Sequence, residues 1–475
     1  MMRPLPPVPS PYPTQTFRFG RMFAPTRFPS TTVALRALSE TMQNTAAKPT
    51  QESKIPAGFI YLAQFVAHDI SYDQTQGIPS GFLRPEEIIN GRSPALDLDS
   101  IYGHGPRFSP ALYEVDKLRL RLGKTTGGLP NDLPSRPTGP HHPRQALIGD
   151  PRNDDNLALA QTHVAFLHFH NQIVAKLQQS GMRPPYLFTE ARKRVVQHYQ
   201  SIVLCDLVPK ITDPQVYNDV MQHGRKCFFP RGIPKGVAPY MPVEFSVAAY
   251  RLDSMIPGKY EWNKTYSGTQ NSMTLEQLFS WSKATLQDDA VVDWRRFYDF
   301  SQLLQGQCLP KMNRTHFLDT SLAPAIWQLP PLPVSHARAG QPRSLAALHL
   351  SRGRSYRLAT GQEVVQAMQA KGIQVHALTS DNLATEPHKK LMQQYHFDKY
   401  TPLWYYILKE AEIQGQGKHL GPVGSRIVVE TFHGLIEGSR YSILKTPGGK
   451  CRQGNTFTMV DLLHSAQVIN PLDNN

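Results

Sequence analysis

Gln64 and His68 stand one helical turn apart in the segment Tyr61-Leu-Ala-Gln-Phe-Val-Ala-His-Asp-Ile-Ser-Tyr-Asp-Gln-Thr75. On a helix they share a face, while Phe65, Val66 and Ile70 can turn to a core. An amide and an imidazole are thereby set side by side at the rim of an apolar pocket. Asp69 points away from that face and is free for another task. A second segment, Gly149-Asp-Pro-Arg-Asn-Asp-Asp-Asn-Leu157, reads as a turn punctuated by Asp150 and Pro151. It presents Arg152 just ahead of a helical stripe of Leu157, Ala160, Val164, Leu167, Val174 and Leu177. A third, Ser93-Pro-Ala-Leu-Asp-Leu-Asp-Ser-Ile-Tyr-Gly103, carries Asp97 and Asp99. In an extended or looped chain their two carboxylates face the same way. With Ser93, the Ala95 carbonyl and Asp69 they form a set of hard oxygens suited to Ca²⁺.

The first segment closely resembles the distal-histidine helix of the animal-type haem peroxidases (the peroxidase–cyclooxygenase superfamily), especially its bacterial branch. The resemblance continues in the same order through Glu244–Arg251, Ser344–Arg354, Thr401–Glu410 and Leu420–Val428. It implies a mainly α, single large helical domain with long loops over residues 51–475, and a Pro-rich arm over 1–50 packed on that domain. It also implies a buried haem b, hydrogen peroxide as oxidant, and a small organic (phenolic) or halide electron donor. Arg152 then takes the place of the distal arginine, and the loop at Ser93–Asp99, tied to Asp69, that of a calcium site. Splitting a peroxide O–O bond needs a base to move a proton between the oxygens and a cation for the developing charge. His68 and the permanently charged Arg152 suit those tasks, and Gln64 helps place water, peroxide or an anion.

Two positions depart from the family pattern. Where the family carries its proximal histidine after a Tyr-Arg pair, this chain reads Tyr250-Arg-Leu-Asp-Ser-Met255, which puts Asp253 or Ser254 there. Where the family has an asparagine behind that histidine, this chain has His349. The favoured expectation is an exchanged dyad in which His349 ligates iron and Asp253 accepts its other N–H, making the ligand more basic. The other readings are Asp253 as ligand with His349 orienting it, and a degenerate site that serves as a non-catalytic haem-binding scaffold. Arg251 and Asp155 complete the expected haem contacts. Ala67 replaces the carboxylate that would form one haem ester and Asp155 is short for the other, so the haem is expected to be non-covalent or to carry at most one ester. Tyr250 keeps a fatty-acid-type dioxygenase in view, because that branch uses a tyrosyl radical near the proximal ligand.

Helical patterns are expected at about 58–72, 156–179, 189–211, 274–285, 292–305, 361–371, 401–413 and 422–437. The length of 475 residues suggests several domains on length alone; the resemblance favours one. No apolar run is long enough to span a membrane and the N-terminus lacks a signal-peptide core, so the expectation is cytoplasmic. Four cysteines without metal spacing suggest reduced thiols. A net charge of +14 supports only non-specific attraction, with no basic helix or aromatic-studded sheet for nucleic acid. His163, His168 and His170 fall on different helix faces and are expected to pack. His141-His142 is a weak metal candidate, and nothing fixes the oligomeric state.

Overall fold

The computed structural model describes residues 16–43, 51–75, 81–136, 144–184, 186–228, 239–282, 284–327, 344–446 and 456–473; His141 and His142 lie outside them. The helices that frame the site are α1 (Thr32–Glu40), α2 (Gly58–Ile70), α3 (Leu157–Gln179), α4 (Tyr186–Ser201), α5 (Leu345–Ser355), α6 (Leu403–Ile413) and α7 (Pro422–Gly438). Among the described residues strands are short. Phe17–Gly20 (β1) pairs antiparallel with Ile89–Asn90 and parallel with Met241–Pro242. Just beyond it, the buried Glu244 carboxylate accepts from Met22 N and Phe23 N at 3.0 and 3.1 Å.

One continuous apolar core joins nearly every element. α2 is buried along most of its length because its apolar residues occupy more than one face. Phe65 stacks on Phe166 of α3 with ring centroids 4.8 Å apart and meets Tyr199 of α4 edge-on at 6.2 Å. The start of α2 is fixed by a close approach: a Cβ on Gly58 would lie 2.4 Å from the Tyr298 ring, so the position excludes larger residues. Its end is tied by Ser71, whose backbone N–H and hydroxyl both donate to Ala67 O.

Most helical expectations are met within a few residues, but 292–305 is not a helix. It holds a single 3₁₀ turn, Trp294–Arg296, followed by irregular turns. Its carbonyls are drawn elsewhere: Arg296 O accepts from Asn313, and Phe297 O accepts from Gly58 N. The Asp293 side chain accepts from Arg295 N, starting a turn instead of a helix. Aromatic residues at helical spacing fill the core here without being helical. The thiol expectation also needs correction, because Cys205 is disulfide-bonded. Cys227 and Cys308 are free. No helix among the described residues is long and apolar enough to cross a membrane.

Candidate functional site

Gln64, Ala67 and His68 form the open side of α2, each half-buried, whereas Phe65, Val66, Asp69 and Ile70 are buried. His68 Nδ1 lies 2.9 Å from Asn153 Oδ1. Asn153 Nδ2 in turn lies 3.0 Å from Nδ1 of His163, a fully buried residue of α3. Burial and the Arg152 charge lower the His68 pKa to about 3, so its imidazole is neutral at any working pH. Gln64 is held as well: Asn156 Nδ2 donates to Gln64 Oε1 at 3.1 Å, while Asn156 Oδ1 accepts from Leu159 N and caps α3.

Arg152 sits on the turn that leads into α3. Asp150 accepts from its Nε at 3.0 Å and its Nη2 at 2.7 Å, and that Nη2 also donates to His68 O at 2.9 Å. The guanidinium lies over the Tyr72 ring, 4.3 Å from its centroid. Buried Arg92 holds the other side of Asp150, with Nε 2.7 Å from Oδ2. Burial alone would raise the Asp150 pKa, but the two guanidinium charges outweigh it and hold this carboxylate far below its usual range. The turn lies tight against the Asp99–Ser100 backbone, where a Cβ on Gly149 would come within 2.4 Å of Ser100 O. Sequence reasoning singled out Arg152 and overlooked Asp150, Arg92 and Asn153, whose importance depends on contacts across the chain.

The segment after the π-helical turn Phe245–Ala249 brings in Arg251 and Asp253. His349 Nε2, from α5, donates to Asp253 Oδ2 at 3.0 Å. The Trp404 ring stands edge-on to His349 at 4.9 Å, and Trp404 Nε1 donates to Arg251 O at 3.1 Å. Burial lowers the His349 pKa; Asp253, despite its burial, is held below the usual range mainly by His349. Arg251 has an exposed surface, yet its guanidinium lies so deep that burial lowers its pKa. Open surface on a deeply placed group means that it lines an internal hollow. Arg251 lies within electrostatic reach of His68, Asp253, Arg352, Arg152 and Asp73, so these groups gather around it. Arg352 itself pairs with Asp73 at 2.6 Å. Asp155 is half-buried at the end of the Arg152 turn.

The carboxylates expected to bind calcium converge, each holding a protein group through at least one oxygen, while Asp97 Oδ1 and Asp99 Oδ1 have no hydrogen-bond partner. Asp69 is fully buried and accepts from Ser100 N, Ser100 Oγ and Leu98 N. Asp97 accepts from Ser93 Oγ, and Asp99 from Ser93 N. Burial raises the pKa of all three, that of Asp69 to about 7, while Arg192 and Arg92 offset the charge of Asp97 and Asp99. Ala95 is buried beside them. Among the described residues no group of three or more His, Cys, Asp or Glu side chains is placed to hold a metal ion. The calcium expectation is withdrawn: it counted oxygens along the segment and missed the charges of Arg92, next to Ser93, and of Arg192 from α4. The remaining histidines pack, with His168 Nε2 bonded to Pro130 O, and His170 bonded to Tyr102 Oη and Leu118 O.

The animal haem peroxidase family model matches residues 40–448. The chain is 23% identical over 360 residues to a chorion peroxidase of Drosophila melanogaster, covering 73% of this chain and 41% of that protein. It is 29% identical over 182 residues to the thyroid peroxidase of Rattus norvegicus, covering 35% of this chain and 19% of that protein. The chain therefore spans less than half the length of these curated relatives. In structure it is similar to peroxidase A of Dictyostelium discoideum, with a TM-score of 0.66 and 14% identity over 96% of this chain and 94% of that one. It is also similar to the fatty acid alpha-dioxygenase of Oryza sativa, at a TM-score of 0.63 and 15% identity over 96% and 82%. At such identities the likeness is one of fold, a mainly helical single domain. The relatives matched are animal, amoebal and plant proteins, which overturns the expectation of a bacterial branch. With the family matched over most of its length, the chain belongs to the animal haem peroxidases.

Proposed function

We propose that this protein is a haem-dependent peroxidase that uses hydrogen peroxide to oxidise small phenolic or halide donors. The observation that carries this reading is the adjacency of His68, its pKa lowered to about 3, and doubly anchored Arg152, whose Nη2 also donates to His68 O at 2.9 Å. His68 accepts the proton of an incoming peroxide and returns it to the departing oxygen. Arg152 keeps its charge while Asp150 and Tyr72 restrain its direction, so it opposes the charge that develops as the O–O bond breaks. Gln64, fixed by Asn156, orients water or peroxide beside His68.

Haem b fits the donor set. The group is flat and carries two carboxylates. Arg251 and Arg352 would supply cations for these, and the Asp253–His349 pair would offer an anionic oxygen backed by an imidazole. When bound, haem supplies the redox-active iron that these residues cannot. Two observations support Asp253 as the residue that would hold the iron, with His349 orienting it. Asp253 keeps 22% of its side chain open against 8% for His349, and the outermost nitrogen of His349 is already engaged by the carboxylate. This departs from the exchanged dyad expected from the sequence. A hard oxygen ligand pushes electrons less strongly than imidazole and leaves more of the bond-breaking work to His68 and Arg152. Ala67 excludes one ester and Asp155 is the candidate for the other, so haem would be held mainly without covalent links.

Tyr250 favours a second reading. It is buried, stacks on Phe245 at 4.7 Å, and its hydroxyl lacks a hydrogen-bond partner. A phenol in apolar surroundings close to the Asp253 segment suits radical chemistry on an apolar chain, as in a fatty-acid-type dioxygenase. The test is to saturate purified protein with haemin, then supply peroxide with a phenolic donor in one series and a long-chain fatty acid with oxygen in another. Donor oxidation that depends on peroxide supports the peroxidase. Oxygen uptake with the fatty acid transfers the assignment to a dioxygenase. Failure to bind haemin reduces the protein to a scaffold.

A further inference from the structure

Beneath the distal pair runs a chain of contacts that the acid–base reading does not itself require. Asn153 lies between two imidazoles, with Oδ1 2.9 Å from His68 Nδ1 and Nδ2 3.0 Å from His163 Nδ1. Asn153 and His163 are both fully buried. A carboxamide has one accepting end and one donating end, and a neutral imidazole has one protonated nitrogen and one bare. A single amide between two Nδ1 atoms therefore makes opposite demands on the two rings. The ring facing the amide oxygen must carry its proton on Nδ1. The ring facing the amide nitrogen must have Nδ1 bare and its proton on Nε2.

We propose that Asn153, oriented by His163, is the positioning residue that fixes His68 as its Nδ1–H tautomer and so leaves the His68 Nε2 lone pair open to the hollow. The surroundings favour this order. Arg152 and Arg251 place positive charge beside His68, which attracts a bare lone pair and repels an N–H. The assignment leaves His163 with a buried Nε2–H that has no hydrogen-bond partner, its ring edge-on to Phe65 at 6.1 Å, and the charge beside His68 outweighs that cost. The opposite tautomer of His68 would present an N–H to the hollow, where it could not accept a proton. The catalytic meaning rests on the peroxidase reading; the tautomers do not.

The test is a two-bond proton–nitrogen correlation spectrum of the full chain labelled with ¹⁵N-histidine, with and without zinc protoporphyrin as a diamagnetic stand-in for haem. His68→Gln and His163→Gln provide the assignments. The expected wild-type pattern is Nδ1–H for His68 and Nε2–H for His163. Asn153→Ala should abolish the Nδ1–H pattern of His68 and, in haem-loaded protein, slow the reaction with peroxide on the order of 10²-fold at unchanged haem content. Asn153→Asp accepts at both ends, so His163 should switch to Nδ1–H while His68 keeps its form. The reverse pair of tautomers in the wild type overturns the proposal, and that spectrum decides even if a variant fails to fold. An unchanged His68 pattern in Asn153→Ala overturns it too. The expected tautomers in a protein that never turns over peroxide would support the proposal and remove the peroxidase reading instead.

Discussion

Asp253 accepts a hydrogen bond from His349 at 3.0 Å, joining two segments that lie 96 residues apart. The carboxylate is the more open partner and the imidazole the deeper one. On the proposal that Asp253 would hold the iron, Asp253→Ala should lower haemin affinity by about 10²-fold, and His349→Ala by about 10-fold as an outer partner. Absorbance titration with haemin measures both. Complete loss in His349→Ala with a mild effect in Asp253→Asn would reverse the order and restore the exchanged dyad.

Arg152→Gln should slow the first step with peroxide by roughly 10²–10³-fold, the usual effect of removing one preorganised charge-stabilising donor. Stopped-flow mixing with peroxide reads the rate and the haem absorbance reads the content. Loss of haem along with the rate would make Arg152 a structural residue.

Asp150 is buried between Arg92 and Arg152. Asp150→Asn leaves two guanidinium groups facing a neutral amide, and the expected destabilisation is about 3–5 kcal/mol by urea unfolding. The folded-state pKa of Asp150 is depressed, so its contribution is present above the unfolded carboxylate pKa and is lost as pH falls through the folded value. The gap between variant and wild type should therefore hold constant from pH 8 to pH 5. A gap that opens only in this window would contradict the assignment.

Glu410 behaves in the opposite sense. Burial raises its pKa to about 8, although it accepts from Val423 N and Gly424 N at the start of α7. Between the unfolded value and about 8 the folded chain holds a proton that the unfolded chain has released. Stability from this group is thus full at low pH and is lost as pH rises through about 8. His68 and His163, both lowered to about 3, favour folding as pH rises to their unfolded value and add no further slope above it. Between pH 6.5 and 8 the Glu410 term should appear as a decline of at most about 1.4 kcal/mol per pH unit. Glu410→Gln should flatten that decline. Equal slopes in thermal unfolding of wild type and variant would refute it.

Local pattern carried much of the fold. α2, α3, α6 and α7 follow from apolar spacing, and the side-by-side placement of Gln64 and His68 follows from helical geometry alone. Residues 292–305 misled because Trp294, Phe297 and Tyr298 are buried at helical spacing, while the hydrogen bonds that decide the backbone go to Asn313 and Gly58. The same limit explains the calcium expectation: Arg192, near Asp97, comes from a helix far along the chain, and no local pattern links them. Asn153 escaped notice for a similar reason. One more polar residue in a polar turn acquires meaning only when two histidines from different helices close on it.

β1 has a consequence for how the molecule is assembled. It is made before both of its partners, Ile89–Asn90 and Met241–Pro242, which arrive in turn, the second more than 200 residues later. Pairing with both stitches the half of the chain that carries His68 to the half that carries Asp253, and Glu244 fastens the seam at Met22 and Phe23. The segments that carry His68 and Asp253 are then brought together by a clasp that can close only once Met241–Glu244 has been made. Until that moment neither segment can hold a shared ligand.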